Sequence, residues 1–139
     1  LIVAVDKQSF YEEDLKEAAF VLPDKTVQIY PGETIYIEVE QENSVIKNMT
    51  AVKEIKNPAI TLTISFTQTA AKKVHEMVML KIYNPFSSSL IYKASIFLFK
   101  QKRWVNTNVY PVMAGLSAYE TWPDIITSIG LTNWTFQTK

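Results

Sequence analysis

The sequence predicts an all-β fold in which two sheets pack together as a sandwich. Three observations favour this class: apolar and polar residues alternate with a period of two in most segments after Thr26, turn signals separate these segments, and the sequence between Thr26 and Lys139 shows neither a repeat nor a long helical pattern. A parallel sheet would need crossover helices, which this part of the sequence does not predict. We therefore expect about seven or eight strands in two antiparallel sheets.

Length and composition fit one domain. The chain has 139 residues, of which 47% are hydrophobic and 20% are charged, and a chain of this size can bury a core without cross-links. It contains no cysteine, which excludes disulfides, thiol catalysis and cysteine-ligated metals. Lys plus Arg and Asp plus Glu both total 14. This balance argues against nucleic acid as a partner, because the chain has no net field to attract phosphates.

The N-terminus is predicted to carry a short helix. Ser9 to Glu12 follow the S-x-x-E pattern, in which the serine and the glutamate cap each other's backbone amides. One apolar face follows, and Pro23 ends it. That face is formed by Tyr11, Leu15, Ala18, Ala19 and Leu22. We therefore expect residues 1–25 to be an N-terminal extension with one helix, and residues 26–139 to fold as a single sandwich unit.

The first strands are predicted directly after this helix. Residues 27–29 precede the Pro31-Gly32 turn, and residues 35–39 then alternate between an apolar and a polar side, as in a strand with one wet face. Residues 60–67 alternate most regularly, with Thr and Ser between Ile, Leu and Phe. Residues 45–55 are ambiguous but favour a strand over a loop.

Two further strands are predicted on either side of residues 84–89. Alternation over residues 77–83 and again over residues 90–98 indicates them, and the connection is either a hairpin or a crossing between the sheets. The rest of the chain is interpreted in order as a strand at 104–110 ended by Pro111, a long connection at 115–124 with room for one helical turn, and a closing strand at 125–136.

The middle of the chain carries a characteristic set of residues, namely Asn84-Pro85-Phe86, Leu90-x-Tyr92-x-Ala94, Trp104 and the turn at Pro111. This set resembles the middle strands of bacterial extracytoplasmic immunoglobulin-like domains, and the resemblance extends over residues 27–136. The cysteine pair of antibody domains is absent. The resemblance implies an immunoglobulin-like sandwich in a periplasmic, cell-envelope or secreted protein. It brings no catalytic residues with it.

The start of the chain and its longest apolar stretch bear on location. Because the sequence begins at Leu1 and not at Met, we expect that an upstream secretion signal or lipoprotein leader was removed, so that a lipid anchor upstream of Leu1 is compatible with the sequence. The longest apolar stretch, residues 89–99, is interrupted by Lys93. It is shorter than the ~20 residues that a membrane-spanning helix needs.

The sequence offers no constellation for catalysis. His75 is the single histidine, so neither a metal site nor a catalytic pair can be completed with a second one. Glu38, Glu40 and Glu42 lie on one side of a predicted strand, where a solvated face explains them best. The basic cluster Lys100, Lys102 and Arg103 is interpreted as a charged hairpin tip. We therefore predict a protein that is not an enzyme and has no metal or cofactor.

The aromatic residues are the best candidates for contact with a partner. We select Trp104, Tyr119, Trp122, Phe97 and Phe99. Phe97 and Phe99 lie opposite the core side of their strand, so either the N-terminal helix covers them or they form an exposed apolar stripe. We expect Trp122 to be exposed, and its replacement by Ala to remove partner binding with little loss of stability.

The leading hypothesis is a non-enzymatic interaction or structural module whose partner is a protein. The first alternative is a carbohydrate-binding module that uses Trp104, Tyr119 and Trp122 as a stacking platform. The second is an immunoglobulin-like proteinase inhibitor, because the Asn84-Pro85-Phe86 turn resembles the Asn-Pro loop of chagasin-like inhibitors. Ser87-Ser88-Ser89 departs from the Thr-Thr-Gly pattern of that family.

Overall fold

Antiparallel strands form almost all of the regular structure in the computed structural model, which describes residues 2–4, 10–12, 21–71 and 74–137. A single 3-10 turn in this part of the chain spans Pro58–Ile60. The strands are β1 (Ile2–Ala4), β2 (Phe10–Glu12), β3 (Val27–Ile29), β4 (Glu33–Glu42), β5 (Val45–Val52), β6 (Thr61–Ala71), β7 (Val74–Tyr83), β8 (Leu90–Leu98), β9 (Arg103–Thr107), β10 (Ser117–Trp122) and β11 (Ile126–Phe136).

Two sheets of these strands make up the sandwich. One has five strands in the order β10-β7-β6-β4-β5, and the other has four in the order β3-β11-β8-β9. Every pairing within them is antiparallel. The all-β class and the two antiparallel sheets are therefore confirmed. A separate two-stranded ladder joins β1 and β2.

The core lies between the sheets and is formed by alternate residues of each strand. In β8, for example, every second residue from Leu90 to Leu98 is buried, while the residues between them are half-buried or exposed. Burial of one large apolar side chain stabilises the fold by roughly 1.5–3 kcal/mol. The largest fully buried side chains are Phe66, Ile29, Ile37, Leu62, Ile64, Leu80, Ile82, Leu90, Ile126, Ile129 and Leu131.

The connection at residues 84–89 crosses from one sheet to the other, because β7 and β8 lie in different sheets. Asn84 in this connection is completely buried. Its side-chain nitrogen donates to the carbonyls of Ser88 at 2.9 Å and Val112 at 3.0 Å, and its side-chain oxygen accepts from the amide of Phe86 at 2.9 Å. The buried amide group is thus well satisfied, and it fixes the shape of the crossing.

A bulge near the end of β11 turns an aromatic residue into the core. The register of β11 against β8 shifts between Thr132 and Thr135, and Asn133 between them has a positive φ of 55°. Trp134 then lies in the core, stacked on Tyr92 with ring centroids 5.1 Å apart. Its indole nitrogen donates to the carbonyl of Leu131 at 3.1 Å.

The predicted N-terminal helix is wrong in its first turn. Phe10–Glu12 form β2, in which Tyr11 pairs with Val3 of β1. Aromatic residues favour strands, and this preference together with the pairing to β1 outweighs the local capping pattern. Residues 13–20, which would complete the helix, lie outside the described residues.

The long connection predicted at residues 115–124 is also wrong, because most of it is β10. This strand pairs with β7, and Tyr119 lies opposite Lys81. Ala118, Glu120 and Trp122 alternate on the side that faces the other sheet. The charged residue in the middle of that side hides the strand pattern in the sequence.

Candidate functional site

Trp122 belongs to the core, contrary to the prediction that it is exposed. Its exposed fraction is 9%, and its indole nitrogen donates to Oγ1 of Thr107 at 3.0 Å. Since Trp122 is on β10 and Thr107 is on β9, this hydrogen bond joins the edge strands of the two sheets. Trp122 therefore closes one side of the sandwich, and a role in direct contact with a partner is not available to it.

Trp104 and Tyr119 are both exposed, with 48% and 57% of their surfaces accessible. They nevertheless lie on opposite sides of the molecule. Trp104 pairs with Phe97 on the outer side of the four-stranded sheet, whereas Tyr119 pairs with Lys81 on the outer side of the five-stranded sheet. The stacking platform of Trp104, Tyr119 and Trp122 is thus wrong, because the three side chains face three different directions.

Phe97 and Phe99 are both half-buried. The ring of Phe97 meets the indole of Trp104 edge to face, with centroids 5.5 Å apart. Phe99 follows β8, and its amide donates to the carbonyl of Ile125 at 2.9 Å. The two residues do not form a fully exposed apolar stripe. The helix that was expected to cover them falls on residues outside the described part beyond Glu12.

The segment between β9 and β10, residues 108–116, which we call the linking segment, carries unusually exposed apolar side chains. The exposed fractions are 78% for Tyr110, 58% for Met113 and 58% for Leu116. Tyr119 follows in β10, with Nζ of Lys81 5.7 Å from its ring centroid. These four residues follow one another in sequence. The sequence predicted a contact surface over residues 115–122 and 104–110, which includes Tyr110, Leu116 and Tyr119 but not Met113.

The linking segment is fixed to the body of the sandwich by hydrogen bonds. The amide of Tyr110 donates to Oε2 of Glu120 at 2.9 Å, and the backbones of Val112 and Leu90 exchange two hydrogen bonds of 2.8 and 2.9 Å. Near its end, the amide of Gly115 donates to the carbonyl of Phe86 at 3.1 Å. The exposed side chains are therefore presented by an anchored backbone, which limits the entropy lost when a partner binds.

The outer edge of β10 has unpaired backbone groups. The amide of Asn84 donates to the carbonyl of Leu116. Because hydrogen-bonded pairs alternate along an antiparallel ladder, the even-numbered residues of β10 direct their backbone NH and CO groups toward β7. Ser117, Tyr119 and Thr121 then direct their backbone groups away from the sheet. No described strand pairs with that edge, which makes it able to accept an added strand.

A polar groove lies where the chain, continuing from β9 into the linking segment, separates from the neighbouring strand β8. Between the pair Ala94–Thr107 and the bridge Leu90–Val112, residues 91–93 face residues 108–111, so the linking segment has one extra residue and bends outward. The resulting cavity measures about 360 Å³. The residues with polar side chains that line it are Tyr92, Lys93, Ser95, Asn106, Thr107, Asn108 and Thr132.

One buried polar atom lies near the side of the sandwich that Trp122 closes. The hydroxyl of Tyr92 is buried and has no hydrogen-bond partner among the described residues. Burial raises the pKa of Tyr92, and the negative charge of Glu120 raises it further. This phenol is thus held in its neutral form, next to the carboxylate that caps the linking segment.

The remaining charged candidates lie at the surface. Glu38 is half-buried and accepts a long hydrogen bond of 3.5 Å from Asn57, and Glu40 beyond it is exposed. The basic residues 100–103 lie around the turn between β8 and β9, where a hairpin tip was predicted. Among the described residues, no three His, Cys, Asp or Glu side chains come together in a group that could hold a metal ion.

The Asn-Pro turn does not present its characteristic side chains to the outside. Asn84 is fully buried, and Phe86 is 7% exposed and packs edge to face on Phe136, with centroids 5.0 Å apart. An inhibitory loop must instead offer its side chains to a protease cleft. The resemblance of this turn to a proteinase-inhibitor loop is therefore a matter of sequence alone.

Comparisons with known proteins add no relative. Neither a protein-family model, nor a curated protein, nor a solved structure matches this chain. Within the described part of the chain, no helix is long and apolar enough to cross a membrane.

Proposed function

We propose that this chain is a non-enzymatic, immunoglobulin-like binding module of a bacterial cell-envelope or secreted protein, and that it holds a protein partner along the linking segment and β10. The observation that carries the proposal is the run of exposed apolar side chains at Tyr110, Met113, Leu116 and Tyr119. Large apolar side chains that follow one another in exposed positions over residues 110–119 mark a candidate contact surface, because large exposed apolar patches of soluble proteins commonly make contacts.

The backbone beside these side chains supports the same proposal. β10 is one of the two edge strands of its sheet, and an extended peptide can add to such an edge through main-chain hydrogen bonds. Tyr119 lies next to that edge and would contact the side chains of an added strand. Main-chain pairing would supply affinity, and the exposed Tyr, Met and Leu side chains would supply selectivity.

The immunoglobulin-like fold type and the extracytoplasmic location are both proposed from the same sequence resemblance. The two antiparallel sheets, with chain crossings at residues 84–89 and 108–116, are compatible with that fold type, and the sequence from Asn84 to Pro111 resembles extracytoplasmic members of it. Fractionation of the native cells tests the location. A protein found only in the cytoplasmic fraction would contradict it.

The interaction surface can be tested by site-specific photo-crosslinking in the native cells. A photoreactive residue at Leu116 is expected to give an adduct of one discrete mass. The matched control is Val45, which is 54% exposed on β5 at the opposite edge of the same sheet and should give no such adduct.

A second substitution separates specific from nonspecific capture. Tyr119→Ser in the same chain should reduce the adduct formed at Leu116, whereas Trp104→Ser on the opposite side of the sandwich should leave it unchanged. Equal adducts from Leu116 and Val45, or an adduct insensitive to Tyr119→Ser, would refute the proposed surface.

A further inference from the structure

The charges of this neutral chain are separated between its two sheets. The strands of the four-stranded sheet contain no Asp or Glu, but they contain Lys93 and Arg103, and the turn beside them adds Lys100 and Lys102. The strands of the five-stranded sheet carry most of the described strand carboxylates, including Glu33, Glu38 and Glu40, against two lysines, Lys47 and Lys81. The total charge of zero therefore does not show that the four-stranded sheet is cationic, and an anionic ligand would be favoured on that sheet.

Three types of side chain follow one another along the outer side of β8 and β9. Trp104 lies against Phe97, the next outward pair is Asn106 with Ser95, and Lys93 follows beside the groove. Outward residues on a strand are ~6.6 Å apart, since each residue advances the chain by ~3.3 Å. The row from Trp104 to Lys93 is thus longer than a single sugar ring.

Trp104, Asn106 and Lys93 each offer a group that a ligand could contact. The indole of Trp104 is contacted on one side by the edge-to-face ring of Phe97 and remains 48% exposed. Ser95 donates to Oδ1 of Asn106 at 2.8 Å, which orients the amide and leaves both hydrogens of its Nδ2 for a ligand. The ion pair in the described part of the chain joins Lys56 and Glu54. Lys93 therefore has no carboxylate partner among the described residues.

We propose that this outer side of β8 and β9 binds an acidic saccharide, with Trp104 stacked on a sugar ring, Asn106 and Ser95 bonded to its hydroxyls, and Lys93 paired with its acid group. Amide and hydroxyl side chains line most of the polar surface of the groove, which suits a ligand rich in hydroxyls. A single-stranded nucleic acid would need cations along the whole backbone track, and here they lie at the two ends of the row. The site goes beyond the protein-binding surface proposed above and is separate from Tyr119 and Leu116.

Titration calorimetry with oligogalacturonate, an oligosaccharide of uronic acid, tests the proposal. Dextran oligosaccharide of the same length is the neutral control, and oligothymidylate is the nucleic-acid control. We expect binding of oligogalacturonate that weakens at high salt, because the acid groups pair with exposed cations, and no binding of dextran. Trp104→Ala should weaken binding about tenfold through loss of the aromatic contact.

Lys93→Gln is the second variant, and it keeps the test valid if Trp104→Ala fails to fold, because Lys93 is exposed. It should weaken binding roughly three- to fivefold and reduce the salt dependence. The matched control is Lys47→Gln at an exposed position of β5, which should bind as the parent chain does. Absence of oligogalacturonate binding, equal binding of dextran, tighter binding of oligothymidylate, or no effect of both variants would each overturn the proposal.

Discussion

The side-chain nitrogen of Asn84 donates to the carbonyl of Val112 at 3.0 Å, and this contact joins two chain crossings that are 28 residues apart in sequence. Val112 also pairs with Leu90 at the start of β8. One buried amide group thus holds the crossing at residues 84–89 against the linking segment. The surface proposed to bind a partner depends on it for its shape.

We expect Asn84→Ala to destabilise the fold by about 2–4 kcal/mol, because it leaves the amide of Phe86 and the carbonyl of Ser88 without their side-chain partner and removes one of the two hydrogen bonds that the carbonyl of Val112 accepts. Urea unfolding followed by circular dichroism measures the change. The control is Asn48→Ala, at an exposed position of β5, which should change stability by less than ~0.5 kcal/mol. Similar losses for both variants would contradict a special role for Asn84.

Trp122→Ala should lower the free energy of unfolding by about 3–5 kcal/mol, since it empties a core position and removes the hydrogen bond to Thr107. Trp122→Phe keeps most of the packing and should cost less. Thermal unfolding compares these variants with Trp104→Ala, whose side chain is half exposed. If Trp122→Ala unfolded at the same temperature as the parent chain, Trp122 would not be a core residue.

Tyr92→Phe should leave the fold equally stable or stabilise it by roughly 1 kcal/mol, because it removes a buried hydroxyl that has no hydrogen-bond partner in the part of the chain that the structure describes. The stacking on Trp134 is retained by the phenyl ring. Urea unfolding at neutral pH measures the difference. A loss of more than about 1 kcal/mol would show that the hydroxyl has a partner in solution, for example an ordered water.

The same residue predicts how stability depends on alkaline pH. Burial raises the pKa of Tyr92, and Glu120 adds to the effect, so the folded state keeps the phenolic proton at a pH where the unfolded chain loses it. Below the unfolded pKa of about 10, the ionisation of Tyr92 does not lower the free energy of unfolding. Above that value the free energy of unfolding falls as pH rises, by up to ~1.4 kcal/mol per pH unit.

Unfolding measured at a series of pH values around and above 10 checks this dependence. Tyr92→Phe should reduce the slope by the contribution of one proton, whereas Tyr110→Phe, at a position 78% exposed, should not. Identical slopes for Tyr92→Phe and the parent chain would contradict the raised pKa.

Regular alternation explains which strands the sequence predicts well. β6 and β8 were found because each has an apolar side without interruption, as in the buried series from Leu90 to Leu98. β10 was not predicted because Glu120 interrupts its inner side; this half-buried side chain accepts a hydrogen bond from the amide of Tyr110 in the linking segment. Because Tyr110 is ten residues away from Glu120 in sequence, no local sequence pattern indicates this hydrogen bond.

The candidate site was predicted in part for a related reason. Trp104 and Tyr119 were selected as aromatic candidates and are exposed, but their placement on opposite sides depends on which sheet receives β9 and which receives β10. The helix expected from Ser9 was wrong over Phe10–Glu12 because pairing with β1 depends on tertiary structure. Composition likewise gives the total charge and does not show that Lys93 and Arg103 belong to the same sheet.

Separation of charge between the sheets gives this neutral molecule an electric dipole moment across the sandwich. The carboxylates of Glu38 and Glu40 lie on one sheet, and the cations of Lys93 and Arg103 lie on the other. In the field of a negatively charged surface, such a dipole turns until its cationic sheet faces that surface. The protein would therefore approach an anionic polymer already rotated into one preferred orientation, with the row from Trp104 to Lys93 leading.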